Sequence, residues 1–313
     1  MTEIVTAFAP ASIGNLGVGF DMLGLALDGI GDRVSACRTD DAGVTIVEVR
    51  DLDGKLHLNL ATDPEHNTAS IAAQALWNDY GDDGGVELGV YKGVPLESGM
   101  GSSAASAVAA VVAVNELLGT PVSIERLLSY ALVGERYASG GMHADNVAPC
   151  LLGGMIFCPR VLLPDTVRLP APDGVSLVLM HPELKVDTAQ ARRKLAKSYS
   201  MEQWLSQQGY LGGFIAACAQ NDIALIGKTL RDVIIEPQRI AVVPCFEVVK
   251  EAAEKSGALG VSLAGSGPSI FALCEDSVAS DLAAAMEQAC RGLDIECQSW
   301  VSSLHAPGAH VES

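Results

Sequence analysis

Positive charge is scarce in this chain. Its 313 residues carry 20 Lys and Arg against 38 Asp and Glu, a formal net charge of -18, and nothing gathers the basic residues into a patch. Phosphate backbones are held by clustered cations, so this balance argues against nucleic-acid binding. An anionic ligand would need local positive potential made from backbone N–H groups, a metal ion and a few placed arginines. Paired cysteines are missing as well. Eight are scattered along the chain with no C-x-x-C and no Cys/His cluster at zinc spacing. Most lie in apolar runs such as "APCLLGGMIFC" and read as buried free thiols of a reducing compartment. The opening "MTEIVTAFAP" has an acid and no basic n-region, so no signal peptide is expected. The apolar run at 104–114 is too short to cross a bilayer. A cytoplasmic protein is the expectation.

What is present is ample core-forming material. The apolar fraction is 49%, the charged fraction only 19%, and the length exceeds that of most single domains. From residue 1 to 100, "EIVTAFAP", "RVSAC", "VTIVEV" and "VELGVYKGV" read as strands, interrupted by a helix at "NTASIAAQALWNDYG" that Asn67 or Thr68 caps and Gly81 ends. Helices follow at "SAASAVAAVVAVNELLG" and, capped by Ser123, at "SIERLLSYALVGERYA". A Pro-rich patch at 159–174 places a domain boundary near 155–170, giving units 1–160 and 161–313. Beyond it, strands are expected at "VSLVLMH", "GVSLAG", "SIFALC" and "CQSWVSS", and helices at 188–196, 200–231, 244–256 and 278–291. Without strict βαβ repetition, this mixture predicts an α+β fold.

The stretch "PLESGMGSSAA" (Pro95, Leu96, Glu97, Ser98, Gly99, Met100, Gly101, Ser102, Ser103, Ala104, Ala105) joins a strand to a helix through a glycine loop. That arrangement offers free N–H donors and the positive end of a helix dipole without obstructing side chains, which suits a polyphosphate. It is neither a Walker A loop, since no Gly-Lys-Ser/Thr follows, nor a full G-x-G-x-x-G. From composition alone it reads equally well as a glycine-eased turn with Ser102 as N-cap.

The whole string resembles the second signature of the kinase superfamily named for galactokinase, homoserine kinase, mevalonate kinase and phosphomevalonate kinase (GHMP). Two further stretches occur in the family's order. "APASIGNLGVGFDMLGLAL" (9–27) is similar to the first signature in its homoserine kinase form, and "LAGSGPSIFALC" (263–274) to the third. "GERYASGGMHADNVAPCLLGGM" (134–155) also resembles homoserine kinases. The resemblance spans nearly the entire chain. It implies a two-domain fold, ribosomal-S5-like at the N-terminus and ferredoxin-like at the C-terminus, and transfer of a phosphoryl group from ATP to the hydroxyl of L-homoserine in threonine biosynthesis.

The same resemblance implies residue roles. The loop 95–105 wraps the ATP phosphates, and Ser103 and Glu135 hold Mg²⁺. Asn15 and Asp21 contact the amino acid, Asp being a natural acceptor for an ammonium group. Arg192 and Arg239 hold its carboxylate through guanidinium forks, Gly265 of the closing hairpin binds the substrate, and Asn146 contacts the hydroxyl. Arg193 competes with Arg192; the four-residue spacing from Thr188 favours Arg192. Asp145 has the aspartate chemistry of a base in mevalonate and galactose relatives, but a loose transition state makes early deprotonation dispensable, so its role stays open. His143 reads as structural. Without the resemblance, Glu135 is an ordinary helix acid, and Asn15 and Asp21 are turn residues. Two other readings stand beside this one: a kinase of another small alcohol such as mevalonate, and a catalytically silent relative. The family often dimerises, so a homodimer is a further expectation.

Overall fold

The computed structural model describes residues 3–51, 53–57, 60–186 and 188–312. Strands β1 (Ile4–Gly14), β2 (Leu23–Thr39) and β3 (Gly43–Asp51) lead to helix α1 (Thr68–Tyr80) and strand β4 (Gly85–Lys92). Helices α2 (Ser102–Leu117), α3 (Ile124–Ser139) and α4 (Ala144–Leu152) follow, then the short strands β5 (Met155–Phe157) and β6 (Val167–Leu169). The second half contains β7 (Val175–Pro182), α5 (Thr188–Arg193), α6 (Met201–Gln220), α7 (Ile223–Thr229), α8 (Glu236–Arg239) and α9 (Phe246–Lys255). It ends with β8 (Ala258–Leu263), β9 (Ile270–Glu275), α10 (Ala279–Arg291), β10 (Cys297–Ser303) and β11 (His310–Val311).

Seven strands form one sheet in the order β11-β1-β2-β4-β3, with β5 on β2 and β6 on β5. Pairing is antiparallel except for β3 beside β4, whose connection carries α1. Within the stretch 155–170 expected to divide the chain, β5 and β6 still extend the first sheet, and the second sheet begins at β7. The terminal β11 also lies on the first sheet.

Helix α2 lies almost wholly buried against β1 and β2, with α1 and α3 packed on its other side. Its Ala-rich faces let neighbouring backbones approach closely, while Val108, Val111, Val112 and Val114 each contribute roughly 1.5–3 kcal/mol by burial. A helix clamped in this way cannot turn, so the direction in which its N-terminus points is fixed by the core.

The second sheet runs β10-β7-β9-β8, antiparallel throughout. Numbered along the chain this order is 4-1-3-2, the ferredoxin-like arrangement of a split βαβ pair. The apolar run "VSLVLM" is continuous because both of its faces are covered. Leu177 and Leu179 join the core shared with the first sheet, while Val178 and Met180 face a second core built with Phe246 and Val249 of α9 and Leu282 and Met286 of α10. Two expectations need correction. The helix expected over 200–231 breaks at Asn221, which adopts a left-handed φ of 53°, and Asp222 caps the restart by accepting from the Leu225 N–H. The helix expected to reach residue 196 stops at Arg193.

Candidate active site

The three glycine-rich stretches are joined by their own backbones. The Ser12 N–H donates to the Met100 carbonyl (3.0 Å), the Gly265 N–H to Gly14 (3.1 Å) and the Ser269 N–H to Ser98 (3.2 Å). Such approach requires residues without side chains. Gly99 has φ 79°, and a Cβ there would sit 2.3 Å from the Ala264 carbonyl oxygen. Gly101 has φ 68°, and its Cβ would sit 2.3 Å from Ser12 Oγ. The glycines therefore serve loop packing as well as ligand access.

Gly101, not Ser102, occupies the N-cap of α2, and no side chain caps the helix. The Ser102 hydroxyl instead donates back to the Val94 carbonyl (3.0 Å). The N–H groups of the first turn are thus left for a ligand, at the positive end of a buried helix. Ser103 Oγ donates to Glu135 Oε2 (2.9 Å), a buried carboxylate of α3. Two hard oxygen donors side by side on a cavity wall suit Mg²⁺, which takes few protein ligands and completes its shell from phosphates and water.

These elements border a cavity of about 700 Å³. Leu96, Glu97, Ser98, Gly99, Gly101, Ser102 and Ser103 line it, as do Glu135, Asp145 and Asn146. So do Asn15, Asp21, Arg192, Arg239 and Gly265. Met100, Ala104 and Ala105 do not: all three are fully buried behind the loop, and Pro95 also lies outside the lining.

On the cavity wall, Arg192 forms a two-pronged pair with Asp21: Nη1 to Oδ2 at 2.9 Å and Nη2 to Oδ1 at 2.5 Å. Arg193, one residue on, is exposed. The Thr188 side chain, the basis for preferring Arg192, lies outside the described residues. Asn15 and Asp21 both adopt left-handed backbone (φ 68° and 55°). Asn15 braces that turn by accepting the Asp21 N–H and donating to the Gly265 carbonyl. Arg239 is buried with Nη1 on Gly265 O (2.7 Å), while its Nε has no partner among the described residues. Burial first, then the nearby Arg192, lowers its pKa. Both guanidinium groups stand 5.2 Å from the Phe20 ring. His143 Nδ1 lies 3.5 Å from Asp21 Oδ2. Burial pushes its pKa down, with Asp21 opposing.

Asp145 sits beneath the turn, with Oδ2 accepting the Asn15 N–H (3.1 Å). Burial, reinforced by the charges of Asp21 and Glu135, raises its pKa to about 7. The neighbouring Asn146 accepts from Ser12 Oγ at 3.0 Å and opens on the cavity.

Three contributors had no local signal in the sequence. Phe20, Asp32 and Lys92 are buried or braced by partners far along the chain. Lys92 Nζ donates to Asp32, 60 residues away, beneath the glycine loop.

Comparison with known proteins gives the family. The family profile for the GHMP kinases N terminal domain matches residues 67–154, and that for the GHMP kinases C terminal region matches residues 214–292. The chain is 41% identical to a homoserine kinase of Xanthomonas campestris pv. campestris over 97% of this chain and 93% of that one. It is likewise 41% identical to one from Chlorobium phaeobacteroides, over 99% of both. The chain belongs to the GHMP kinase family. Among solved structures, a homoserine kinase from Cytophaga hutchinsonii superposes on this GHMP kinase with a TM-score of 0.94 at 40% identity, covering 100% of this chain and 98% of that one. The two-domain α+β expectation is met.

Proposed function

We propose that the protein transfers the γ-phosphoryl group of ATP to the side-chain hydroxyl of L-homoserine, giving O-phospho-L-homoserine and ADP, a step of threonine biosynthesis. The observation that carries this reading is the Asp21–Arg192 pair in the cavity that the glycine loop borders. A zwitterionic amino acid presents an ammonium group and a carboxylate together, and can exchange one ion pair for two. Mevalonate has a carboxylate but no ammonium and would leave Asp21 unsatisfied, while galactose has neither charge and would leave the pair closed.

In this mechanism the uncapped first turn of α2 and the Gly99–Ser103 backbone receive the triphosphate, while Leu60, Val90 and Leu96 offer an apolar wall for the base. Ser103 and Glu135 would hold Mg²⁺, which would supply positive charge to neutralise the phosphoryl group being transferred. Arg192, with Arg239 behind it, receives the carboxylate, Asp21 and Asn15 the ammonium, and Asn146 the hydroxyl. The hydroxyl oxygen forms the new bond to phosphorus as the bond to the ADP oxygen breaks. Its proton leaves late, to an oxygen of the transferred phosphoryl group and from there to water, so no strong base is required. Asp145, engaged with the Asn15 N–H and partly protonated near neutrality, acts here by setting the turn that carries Asn15. The proposal places the reaction in the cytoplasm, consistent with eight free thiols, seven of them buried. No helix among the described residues is long and apolar enough to cross a membrane. The proposal also takes the chain as units 1–160 and 161–313, with β6 and β11 of the second paired into the sheet of the first, in a homodimer.

A coupled assay of ADP release with L-homoserine, mevalonate and galactose side by side tests the reading. Turnover with L-homoserine above both others is expected. Preference for mevalonate would move the enzyme to another alcohol, and no turnover with any of them would leave a binding protein.

A further inference from the structure

The glycine loop has a neck, and an ion pair closes it. Asp32 of β2 is fully buried, and its Oδ1 accepts the N–H groups of Gly93 (2.9 Å) and Val94 (3.0 Å), where the chain leaves β4 for the loop. Its Oδ2 accepts from Ser106 Oγ (2.6 Å) and from Lys92 Nζ. The three protons of the Lys92 ammonium group are all used: on Asp32, on Ser106 Oγ (2.7 Å) and on the carbonyl of Ser102 (2.8 Å), the first residue of α2. Ser102 Oγ then returns to the carbonyl of Val94 (3.0 Å). Both ends of the loop, Gly93–Val94 and Ser102–Ser106, are therefore tied to one carboxylate and one ammonium group.

Lys92 borders the nucleotide end of the cavity, and a lysine there is ordinarily read as a phosphate ligand. Its geometry argues otherwise. The side chain is 5% exposed, its donors are committed, and a move toward phosphate would strand the fully buried Asp32 carboxylate. We propose that Asp32, Lys92 and Ser106 are positioning residues for the nucleotide: they fix the width of the loop's neck so that the amides of 99–103 converge on the phosphates, and Lys92 does not itself bind phosphate. This inference rests on the loop being the nucleotide site.

The test compares Lys92→Met, Ser106→Ala and the double variant Asp32→Asn/Lys92→Met with the parent enzyme. The readouts are calorimetric binding of the ATP analogue AMP-PNP, KM for each substrate at saturation of the other, and Tm. Lys92→Met should weaken AMP-PNP binding and raise the ATP KM by about tenfold or more, leaving the L-homoserine KM within about twofold. Ser106→Ala should do the same to a smaller degree. The double variant removes the stranded charge, keeps an amide oxygen in place of the Asp32 carboxylate as acceptor for the Gly93 and Val94 N–H groups, and should recover to within about threefold of the parent.

A double variant as defective as Lys92→Met would overturn the proposal in favour of direct phosphate binding. Parent-like nucleotide affinity in Lys92→Met, with only Tm lowered, would also overturn it, reducing the network to core packing. If Lys92→Met does not fold, Ser106→Ala and the double variant decide. Failure of the parent to bind AMP-PNP would instead count against the kinase reading itself.

Discussion

Asp32–Lys92 and Asp21–Arg192 use the same chemistry in opposite settings around one cavity. The first pair has side chains 0% and 5% exposed, is joined by Ser106 and three backbone groups, and has no donor to spare. The second has side chains 28% and 33% exposed and is held in a turn of left-handed residues. A buried pair is costly to form and costly to break, so it suits a shape that must not change. A half-exposed pair is worth little on its own and is readily exchanged, so it suits a place that a charged ligand must enter. On the proposed function, the nucleotide end is thus made of backbone held from beneath, and the amino-acid end of side chains that satisfy one another until substrate arrives.

The sharpest way to break this contrast is to alter the backbone of the rigid end. Gly99→Ala places a methyl group 2.3 Å from the Ala264 carbonyl oxygen at φ 79°. It should lower kcat/KM for ATP by at least about 100-fold, since backbone must shift where the amides need to converge. An active variant would mean that the loop tolerates movement. At the exchangeable end, Arg192→Ala should raise the L-homoserine KM by roughly 30-fold, the value of a charged two-pronged contact, with ATP binding unchanged. Equal losses for both ligands in steady-state kinetics would dissolve the distinction between the two ends.

Much of this layout is legible along the chain, and the reasons for the gaps are physical. The three glycine stretches, α2 and its loop, Asn67 as a cap and the strands of the second sheet all leave local patterns of spacing and turn residues. A buried ion pair leaves none. Asp32 sits in "GDRV" and Lys92 in "VYKGV", both of which read as ordinary strand ends, and only the fold brings them together. The same holds for Phe20 and for Asn221, whose left-handed backbone divides a helix that composition alone would continue. Ser102 illustrates the reverse case: a good capping residue gives up that place to Gly101 because its hydroxyl is used to close the neck.

Smaller effects refine the comparison. Ser103→Ala removes one oxygen beside Glu135 and should reduce turnover about tenfold while raising the Mg²⁺ concentration needed for half-maximal rate. An unchanged metal requirement would remove Ser103 from the metal. The smallest effect concerns pH. Asp145 has a folded-state pKa raised from 3.8 to about 7, so the folded protein holds a proton that the unfolded chain has released, and this group's contribution to stability falls as pH rises from about 4 to about 7. Asp145→Asn should therefore gain on the parent by roughly 3 °C in Tm between pH 5 and pH 8. A difference in Tm independent of pH would mean that Asp145 is ionised throughout.

The most direct measurement is a crystal structure with AMP-PNP and L-homoserine bound together. The triphosphate should lie against the amides of residues 99–103 with the Asp32–Lys92 pair undisturbed, and the Asp21–Arg192 pair should be opened, with Arg192 on the carboxylate and Asp21 on the ammonium. A triphosphate seated elsewhere, or an amino acid bound while Asp21 and Arg192 still hold each other, would contradict this account.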